Sequence, residues 1–425
     1  MSTSTAPAQT ETFLDRCKEA AAALSALMEP TPLQRNAFLS ERYGADIILK
    51  REDLTPVRSY KLRGAANFFR KALTADPTLK NFVCASAGNH AQGFAYVANH
   101  YGVTGTVFMP TTTPKQKIYK TQTFGGDNIT VRLIGDTFDQ SYAAAKKFSA
   151  EQGATFVPPF DHPDIIEGQA SVGLEILAAM AEKPDVLILP VGGGGLAAGV
   201  VQVFAAMSPD TEIVFVEPAG APSFQKSLIS GHLVTLDGVD TFVDGAAVGR
   251  MGEHTFAVLK DRHPAQVVLV PEDRVCETIL EMLNIEGIVL EPAGALEIDA
   301  LRSLPPERIR GRKIVCVTSG GNFDFERLPE VKERALRSAG LKKYYILRMP
   351  QRPGALRDLL DLLGPDDDIT RFEYLKKSAR NFGSILIGIE SNAQSNFQTL
   401  TARLDSAGFI YRDITDDEVV AGVLI

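Results

Sequence analysis

The regular alternation of two patterns, from about residue 13 to residue 325, constrains the fold of this sequence more than any other feature. Short apolar runs rich in β-branched residues recur there and are typical of buried strands. Between them lie segments with apolar residues at three- and four-residue spacing, which predict helices, as at 90–102 and 141–153. Strands that alternate with helices favour an α/β fold on buried, largely parallel sheets. The predicted strands are DIILKRE (46–52), FVCAS (82–86), TGTVFMP (104–110), ITVRLIG (129–135), DVLILPV (185–191), EIVFVEP (212–218) and KIVCVTS (313–319).

The pattern changes near residue 326. The charged segment ERLPEVKERALRSAG (326–340) predicts a linker helix that ends at a glycine. Residues 341–425 then show the order strand, helix, strand, strand, helix, strand, which is the ferredoxin-like pattern. We therefore expect a disordered tail at 1–12, a large domain at 13–325 with a smaller subdomain around 55–150, the linker helix, and a small α+β domain at 341–425.

Charge and composition exclude several classes of partner. A formal net charge of -8 gives no basic surface for nucleic acid or for an anionic membrane. The first twelve residues lack the basic and apolar regions of a secretory signal, and the longest apolar runs have strand length. The four cysteines show no metal-ligand spacing, which favours reduced core thiols. We expect a cytoplasmic protein with no nucleic-acid or membrane partner.

Lys61 is the first candidate for chemistry. It lies in SYKLRGA (59–65), among small or polar neighbours and just before a helix predicted to start around Leu62. A lysine that forms a Schiff base needs a neutral amine, and burial or a nearby helix dipole would lower its pKa. Taken alone, a lysine near a helix start is more typically a solvated surface charge.

The segment SAGNHAQG (86–93) directly follows a predicted strand. Its small residues Ser86 and Gly88 let the backbone approach a ligand closely, and the helix start at Asn89 and His90 offers free N–H groups that suit a carboxylate. The alternative is an ordinary helix start, capped by Ser86 and Asn89.

Four consecutive glycines, Gly192 to Gly195, follow the strand DVLILPV and precede the helical segment 195–207. Such a run is entropically costly, and it favours a site where several backbone N–H groups converge on a phosphate. It matches neither the P-loop nor the G-x-G-x-x-G fingerprint. The alternative is a flexible loop.

Two further motifs follow strand ends or start helices. VTSGGN places Ser319 where its hydroxyl could face a ring nitrogen, although the segment could also be a common turn. EPAGA places Glu291 before a proline at a predicted helix start, where the alternative role is simple capping.

Together, these five segments closely resemble the β-family (fold type II) of pyridoxal-phosphate (PLP) enzymes, and within it the threonine dehydratases (threonine ammonia-lyases). The resemblance covers roughly residues 20–325, and the motifs occur in the family's order. It implies two open twisted, mostly parallel sheets with flanking helices, which form a PLP-dependent catalytic domain at 13–325.

The resemblance also implies a role for each motif around the cofactor. Lys61 would hold PLP covalently and then act as the base on the substrate Cα. Asn89 would hydrogen-bond the cofactor's 3′-oxygen, Ser319 would face the pyridine nitrogen, and Glu291 would lie near the ring. The 5′-phosphate would be bound by Gly192, Gly193, Gly194, Gly195 and the N–H of Leu196.

The substrate carboxylate would be held by Ser86, Gly88, Asn89 and His90. The implied reaction removes water and then ammonia from L-threonine, and from L-serine, and yields 2-oxobutyrate from threonine. A serine at the ring nitrogen, rather than a carboxylate, leaves that nitrogen largely neutral, which suits β-elimination better than transamination.

Some relatives carry a divalent-metal site near EPAGAPS, with an acidic residue where Ser223 stands here. Only Glu217 offers a carboxylate in this sequence, so we predict no bound divalent ion, while a monovalent ion stays open.

Residues 341–425 resemble the regulatory, ACT-like domain of biosynthetic threonine dehydratases. That resemblance implies the first committed step of isoleucine biosynthesis, inhibition by isoleucine with valine opposing it, and a homotetramer. The loop RMPQRPGAL (348–356) is the candidate effector site, and the alternative is a dimerisation module.

Other readings of the whole chain remain open at this point. They are serine dehydratase, serine racemase, threonine synthase, and a catalytically inactive amino-acid sensor. No second phosphate loop supports a threonine synthase, and intact Lys61 and Ser319 argue against the sensor.

Overall fold

A computed structural model describes residues 11–375 and 382–417. Most of the tail predicted at 1–12 and the last three residues of the strand predicted at 368–378 lie outside these ranges. The chain divides into two units: residues up to 272 with 282–324, and residues 273–281 with those from 325 onward. No helix in the described ranges has the length and apolar character that a membrane span requires.

The first unit contains a six-stranded sheet whose strands are parallel except for one edge pair. Its central strands bury both faces, as in the fully buried run VLILP, which is typical of parallel sheets. The edge strand β1 runs antiparallel to β2. The order across the sheet is β1 (Leu33–Arg35), β2 (Asp46–Arg51), β10 (Lys313–Thr318), β7 (Val186–Pro190), β8 (Glu212–Pro218) and β9 (Val267–Val270).

A smaller sheet in the same unit is parallel throughout. Its order is β5 (Ile129–Leu133), β4 (Thr104–Met109), β3 (Asn81–Ala85) and β6 (Thr155–Phe156).

Helices flank both sheets. Those that begin in the first unit are α1 (Phe13–Leu24), α2 (Ala37–Tyr43), α3 (Lys61–Ala75), α4 (Asn89–Tyr101), α5 (Lys115–Gly125), α6 (Phe138–Gln152), α7 (Pro163–Ala179), α8 (Gly195–Met207), α9 (Ser223–Ser230), α10 (Glu253–Leu259), α11 (Glu272–Glu286) and α12 (Pro292–Asp299).

Three of these helices pack with unusually close backbones. A Cβ added at Gly168 of α7 would lie 2.5 Å from the carbonyl oxygen of Arg63 in α3. A Cβ added at Gly199 of α8 would lie 2.4 Å from the carbonyl oxygen of Ile166 in α7. Glycine permits this approach, which fixes α3 and α8, and hence the two motifs at their starts, against the common helix α7.

The second unit consists of α13 (Leu328–Ser338) and a four-stranded antiparallel sheet with two helices. The elements occur in the order β11 (Lys342–Pro350), α14 (Ala355–Leu360), β12 (Asp367–Leu375), β13 (Phe382–Ser391), α15 (Gln394–Ser406) and β14 (Ile410–Asp413). The strand order is β12-β13-β11-β14. Leu347, Ile387 and Phe397 belong to its core. The ferredoxin-like order predicted from the sequence is confirmed.

All seven strands predicted for the first unit are present, with ends shifted by at most two residues. The prediction missed β1, β6 and β9, which have only two to four residues and so show no readable alternation. The α/β fold on mostly parallel sheets is confirmed. The domain limits at 325 and 340 and the subdomain around 55–150 stay predictions.

Candidate active site

The backbone places Lys61 beside Ser319. The Tyr60 N–H donates to the carbonyl of Ser319 (3.2 Å), and Ser59 and Gly320 form an isolated antiparallel bridge. The loop before α3 therefore runs against the end of β10, so two motifs about 260 residues apart meet at one edge of the large sheet.

Arg58 adopts a left-handed backbone conformation three residues before Lys61. Its φ is +58°, the only positive φ of a non-glycine residue in the described ranges. A residue other than glycine rarely adopts this conformation, so surrounding bonds must hold it. The Arg58 N–H donates to the carbonyl of Thr55 (2.9 Å), and its carbonyl accepts from the Gly321 N–H (2.9 Å).

Lys61 is the first residue of α3, one position earlier than predicted. Its Nζ donates to the carbonyl oxygen of Pro159 (2.9 Å) and lies 5.4 and 5.8 Å from the ring centres of Tyr60 and Phe160. Burial lowers the pKa of this amine from 10.5 to about 8, while the charge of Glu291 acts in the opposite direction. A sizeable fraction of the amine is therefore neutral near physiological pH, as a nucleophilic lysine requires.

The glycine run leaves no room for side chains. A Cβ added at Gly193 would lie 2.3 Å from the ring of Phe160, and one at Gly192 would lie 3.0 Å from the backbone of Ala246. Gly194 has φ +89° and is the N-cap of α8, with no side chain that caps the helix. The first N–H groups of a helix have no intrahelical acceptor, so this start is suited to an anion.

Pro159 and Phe160 connect Lys61 with the glycine run, and no role was predicted for either residue. The Pro159 carbonyl accepts from Lys61, while Phe160 packs against Gly193 and Gly195. The only signal was an aromatic residue after two prolines, in VPPFD.

A chain of carboxamide and carboxylate groups crosses the site. Asn89 Nδ2 donates to Glu291 Oε1 (2.5 Å), and Asn322 Nδ2 donates to Asn89 Oδ1 (2.8 Å). Glu291 is the N-cap residue of α12 but its side chain makes no capping bond, so the simple capping role is wrong. Burial raises its pKa to about 7, the charge of Asp244 raises it further, and the bond from Asn89 acts against both. Asn322 is part of the predicted motif VTSGGN, but no role was predicted for its side chain.

The start of α4 faces open space. Its N-cap is Gly88 and no side chain caps it, so the predicted alternative of capping by Ser86 and Asn89 is wrong. Instead, the Gly88 N–H donates to Ser86 Oγ (3.2 Å). A Cβ added at Gly88 would meet nothing within 4 Å. This space, in front of uncapped N–H groups, could accept a carboxylate.

His90 is neutral in this site. Burial lowers its pKa to about 3, and the charge of Lys61 lowers it further. Its Nε2 lies 3.0 Å from the carbonyl of Val157 and must donate there, because a carbonyl only accepts. His90 can therefore offer an anion its backbone N–H but no charge.

Ser319 is almost fully buried at the end of β10. Its hydroxyl donates to the carbonyl of Ala293 (3.1 Å), and its N–H donates to Glu297 Oε1 (3.2 Å). Both partners belong to α12, which therefore sets the orientation of Ser319.

On the other side of α3, Arg63 lies in a buried ion network. Its guanidinium donates to both oxygens of Glu52 (2.7 and 2.9 Å) and of Glu175 (2.6 and 2.8 Å). Lys50 pairs with Glu175 and lies 3.9 Å from Glu52. Two cations and two carboxylates thus balance, and they tie α3 to α7 and to the turn after β2.

Glu217, the carboxylate of the segment EPAGAPS, already accepts hydrogen bonds from protein groups. Its oxygens accept the N–H groups of Phe224 (2.7 Å) and Gln225 (2.9 Å), and burial raises its pKa to about 8. In the described part of the chain, no group of three or more His, Cys, Asp or Glu side chains could hold a metal ion.

These residues fit PLP in three respects. Lys61 supplies a buried, partly neutral amine. The uncapped start of α8 supplies an anion site for a phosphate. Asn89 uses one amide hydrogen on Glu291 and keeps the other for an oxygen of the cofactor.

Comparisons with known proteins agree with this geometry. Residues 24–320 match the family of pyridoxal-phosphate dependent enzymes, and residues 333–424 match the C-terminal regulatory domain of threonine dehydratase. The biosynthetic L-threonine dehydratase of Bacillus subtilis is 48% identical over 93% of both chains. That of Lactococcus lactis is 45% identical over 90% of this chain and 92% of its own.

Solved structures show the same fold. The processed form of threonine deaminase isoform 2 from Solanum lycopersicum has a TM-score of 0.70 and 37% identity, over 77% of this chain and 94% of that chain. Maize serine racemase has a TM-score of 0.69 and 26% identity, over 77% and 99% of the two chains. The predicted fold class and the PLP cofactor are confirmed. The chain thus belongs to the pyridoxal-phosphate dependent enzymes and, within them, to the biosynthetic threonine dehydratases.

Proposed function

We propose that this enzyme converts L-threonine to 2-oxobutyrate and ammonia by β-elimination of water, and that it also accepts L-serine. In the cell this would be the first committed step of isoleucine biosynthesis. One observation carries the proposal: a buried lysine of lowered pKa lies beside a serine, and not a carboxylate, at the end of β10. Family membership supports it.

Bound PLP supplies an electron-withdrawing ring that stabilises negative charge at the substrate Cα. Lys61 would hold the cofactor covalently and, as a free amine, would take the proton from the substrate Cα. Its low pKa keeps this amine able to accept a proton near neutral pH. The N–H groups of Gly192, Gly193, Gly194, Gly195 and Leu196 would bind the phosphate.

The remaining residues set orientation. Asn89, which is held by Glu291 and Asn322, would donate to the 3′-oxygen of the cofactor, and Glu291 would lie near the ring. The Ser319 hydroxyl would turn from the Ala293 carbonyl to donate its hydrogen to the ring nitrogen, and it provides no negative charge that would draw a proton there.

The substrate carboxylate lies at the start of α4. Ser86, Gly88, Asn89 and His90 surround it there, and backbone N–H groups provide most of its bonds. The β-hydroxyl would leave as water together with the proton that Lys61 took from Cα. The released enamine would then take up one water molecule and yield the 2-oxo acid and ammonia.

The second unit would bind the effectors. We assign isoleucine as the inhibitor and valine as its antagonist, at the loop 348–356 between β11 and α14. Gly354 adopts φ +86° there, and Arg352 pairs with Asp358. An effector acts by favouring a less active state, which we place in a homotetramer. Four free, buried cysteines support a cytoplasmic location.

The test is 2-oxo acid release from L-threonine by the holoenzyme, with and without L-isoleucine. We expect turnover that isoleucine suppresses, and a loss of about 10³-fold or more in Lys61→Ala. Lys71→Ala, in the same helix but paired with Asp164 and Glu167 and not with a residue of the site, should retain turnover. Turnover indifferent to isoleucine would contradict the effector assignment alone, and turnover in Lys61→Ala would contradict the assignment of the base.

The same samples test the sibling reactions. A serine racemase would form D-serine from L-serine, which chiral chromatography detects. An inactive sensor would bind isoleucine and release no 2-oxo acid from either substrate.

A further inference from the structure

Glu297 lies directly behind Ser319 and is fully buried. It stands in α12, and its Oε1 accepts the Ser319 N–H (3.2 Å). Its own carbonyl accepts the thiol of Cys316 in β10. The side chain is therefore fixed against the end of β10, one residue behind the surface that faces the ring nitrogen.

No cation in the described ranges pairs with Glu297. The acidic groups that face it are Asp53, in the turn after β2, and Glu291, at the start of α12. Asp53 is paired with Arg51 (2.7 Å), so that cation is already engaged. Among residues 11–375 and 382–417, none donates a hydrogen bond to Glu297 Oε2. An ionised carboxylate without a counter-charge or water is far costlier to bury than a neutral acid.

We propose that Glu297 is a positioning residue for Ser319, and that it acts as a neutral carboxylic acid. This inference rests on the role proposed above for Ser319. Oε1 accepts the Ser319 N–H, while the proton resides on the unpartnered Oε2. Burial, with Asp53 and Glu291 nearby, raises the pKa of Glu297 well above its usual value, consistent with this state.

The charge state matters for the reaction. A negative charge behind Ser319 would favour a proton on the ring nitrogen, and a protonated ring sustains negative charge at Cα for longer. A neutral acid can fix the serine without this effect. The chain thereby keeps an acceptor for the Ser319 N–H and still favours rapid loss of the β-hydroxyl over transamination.

The test uses Gln and Leu variants of Glu297 in the holoenzyme, with the same changes at Glu217 as controls. Glu217 is also a buried acid that accepts only N–H groups, but it contacts neither Ser319 nor Lys61. Glu297→Gln keeps the acceptor, so turnover and the cofactor's absorption band should stay within about twofold of the parent. Glu297→Leu removes it and should lower kcat about tenfold and shift the band.

Thermal melting then reports the charge state. A carboxyl with a raised pKa in the folded protein contributes stability below its unfolded pKa, and this stability is lost as pH rises towards the folded value. The glutamine side chain of the variant does not ionise, so the variant does not lose stability in this way. The Tm of Glu297→Gln should therefore exceed that of the parent by a margin that grows from about pH 5 to about pH 8. Glu217→Gln should show the same trend, with an unchanged absorption band.

If the Tm difference between Glu297→Gln and the parent stayed constant from about pH 5 to about pH 8, the proposal that Glu297 is a neutral acid would be wrong. Parental kcat and absorption in Glu297→Leu, or an equal loss of kcat in Glu217→Leu, would overturn the positioning role. Failure of the parent to release 2-oxo acid would instead refute the proposed function, and would leave the melting result intact.

Discussion

The two sides of the first turn of α3 differ in whether their buried charged groups are paired. Lys61 and Arg63 are two residues apart, so their side chains leave the helix about 200° apart. Arg63 enters the balanced network of Lys50, Glu52, Arg63 and Glu175, which we call the Arg63 network. The site group, defined as Lys61, His90, Glu291 and Glu297, makes no ion pair with any described residue.

The difference appears in the pKa values. Within the site group, burial lowers the pKa of Lys61 to about 8 and of His90 to about 3, and raises that of Glu291 to about 7. In the network, burial alone would raise the pKa of Glu175, but bonds from Arg63 hold it below its usual value. Lys50 departs from this pattern, because burial lowers its pKa although Glu52 and Glu175 act against it.

The balanced ion pairs of the Arg63 network therefore hold α3 in place. The side chains of the site group have no such pairs among the described residues, and their pKa values differ from those in water. Acid–base chemistry near neutral pH needs side chains with shifted pKa values, as in the site group. A fixed position of the helix needs paired charges, as in the Arg63 network. The chain places them on opposite sides of one helical turn.

Arg63→Met gives the largest expected effect. The change leaves Glu52 and Glu175 buried with only Lys50 to balance them, and removing one partner of a buried pair costs about 3–5 kcal/mol. Lys71→Met is the control on the same helix; its partly exposed pairs should contribute at most about 1 kcal/mol. Urea melts of both holoenzyme variants measure the change. Equal, small losses would show that the Arg63 network is not structural.

The sequence revealed the site side far better than the network side. Lys61, the glycine run and Ser319 could be predicted because each is a local motif at the edge of a strand. Arg63 and Glu175 carry no such signal: they are 112 residues apart, and either alone looks like a solvated charge. The roles of Phe160 and Glu297 were not predicted for the same reason, because they depend on contacts that only the folded chain creates.

The amine of Lys61 should titrate abnormally in the cofactor-free protein. Acylating reagents attack the neutral amine, so its labelling should rise with a midpoint near pH 8 rather than 10.5. Lys71 is the internal control: burial acts to lower its pKa, but bonds to Asp164 and Glu167 raise it above the usual value. Peptide mass spectrometry after brief labelling follows both lysines in one sample. If Lys61 and Lys71 were labelled with the same midpoint pH, the site and the surroundings of Lys71 would not differ in their effect on a lysine amine.

Substitutions at two glycines test the contrast between the site and the packed helices by adding a methyl group rather than by removing a charge. Their expected changes in stability are the smallest. Gly88 faces the open space before α4, so Gly88→Ala should cost less than about 1 kcal/mol of stability. Its new methyl group would occupy the proposed carboxylate site and raise KM for threonine about tenfold, with kcat nearly unchanged.

Gly168→Ala should show the opposite pattern. Its Cβ would lie 2.5 Å from the Arg63 carbonyl, so the overpacked helices should lose about 1–3 kcal/mol, while KM should change less than in Gly88→Ala because the space before α4 stays open. Melting and steady-state kinetics on the two variants separate these outcomes. If Gly88→Ala lost as much stability as Gly168→Ala, the space before α4 would be part of the packed interior, and the substrate carboxylate would have to bind elsewhere. Opposite responses would mean that the start of α4 is open to a ligand, whereas the contact between α3 and α7 serves packing.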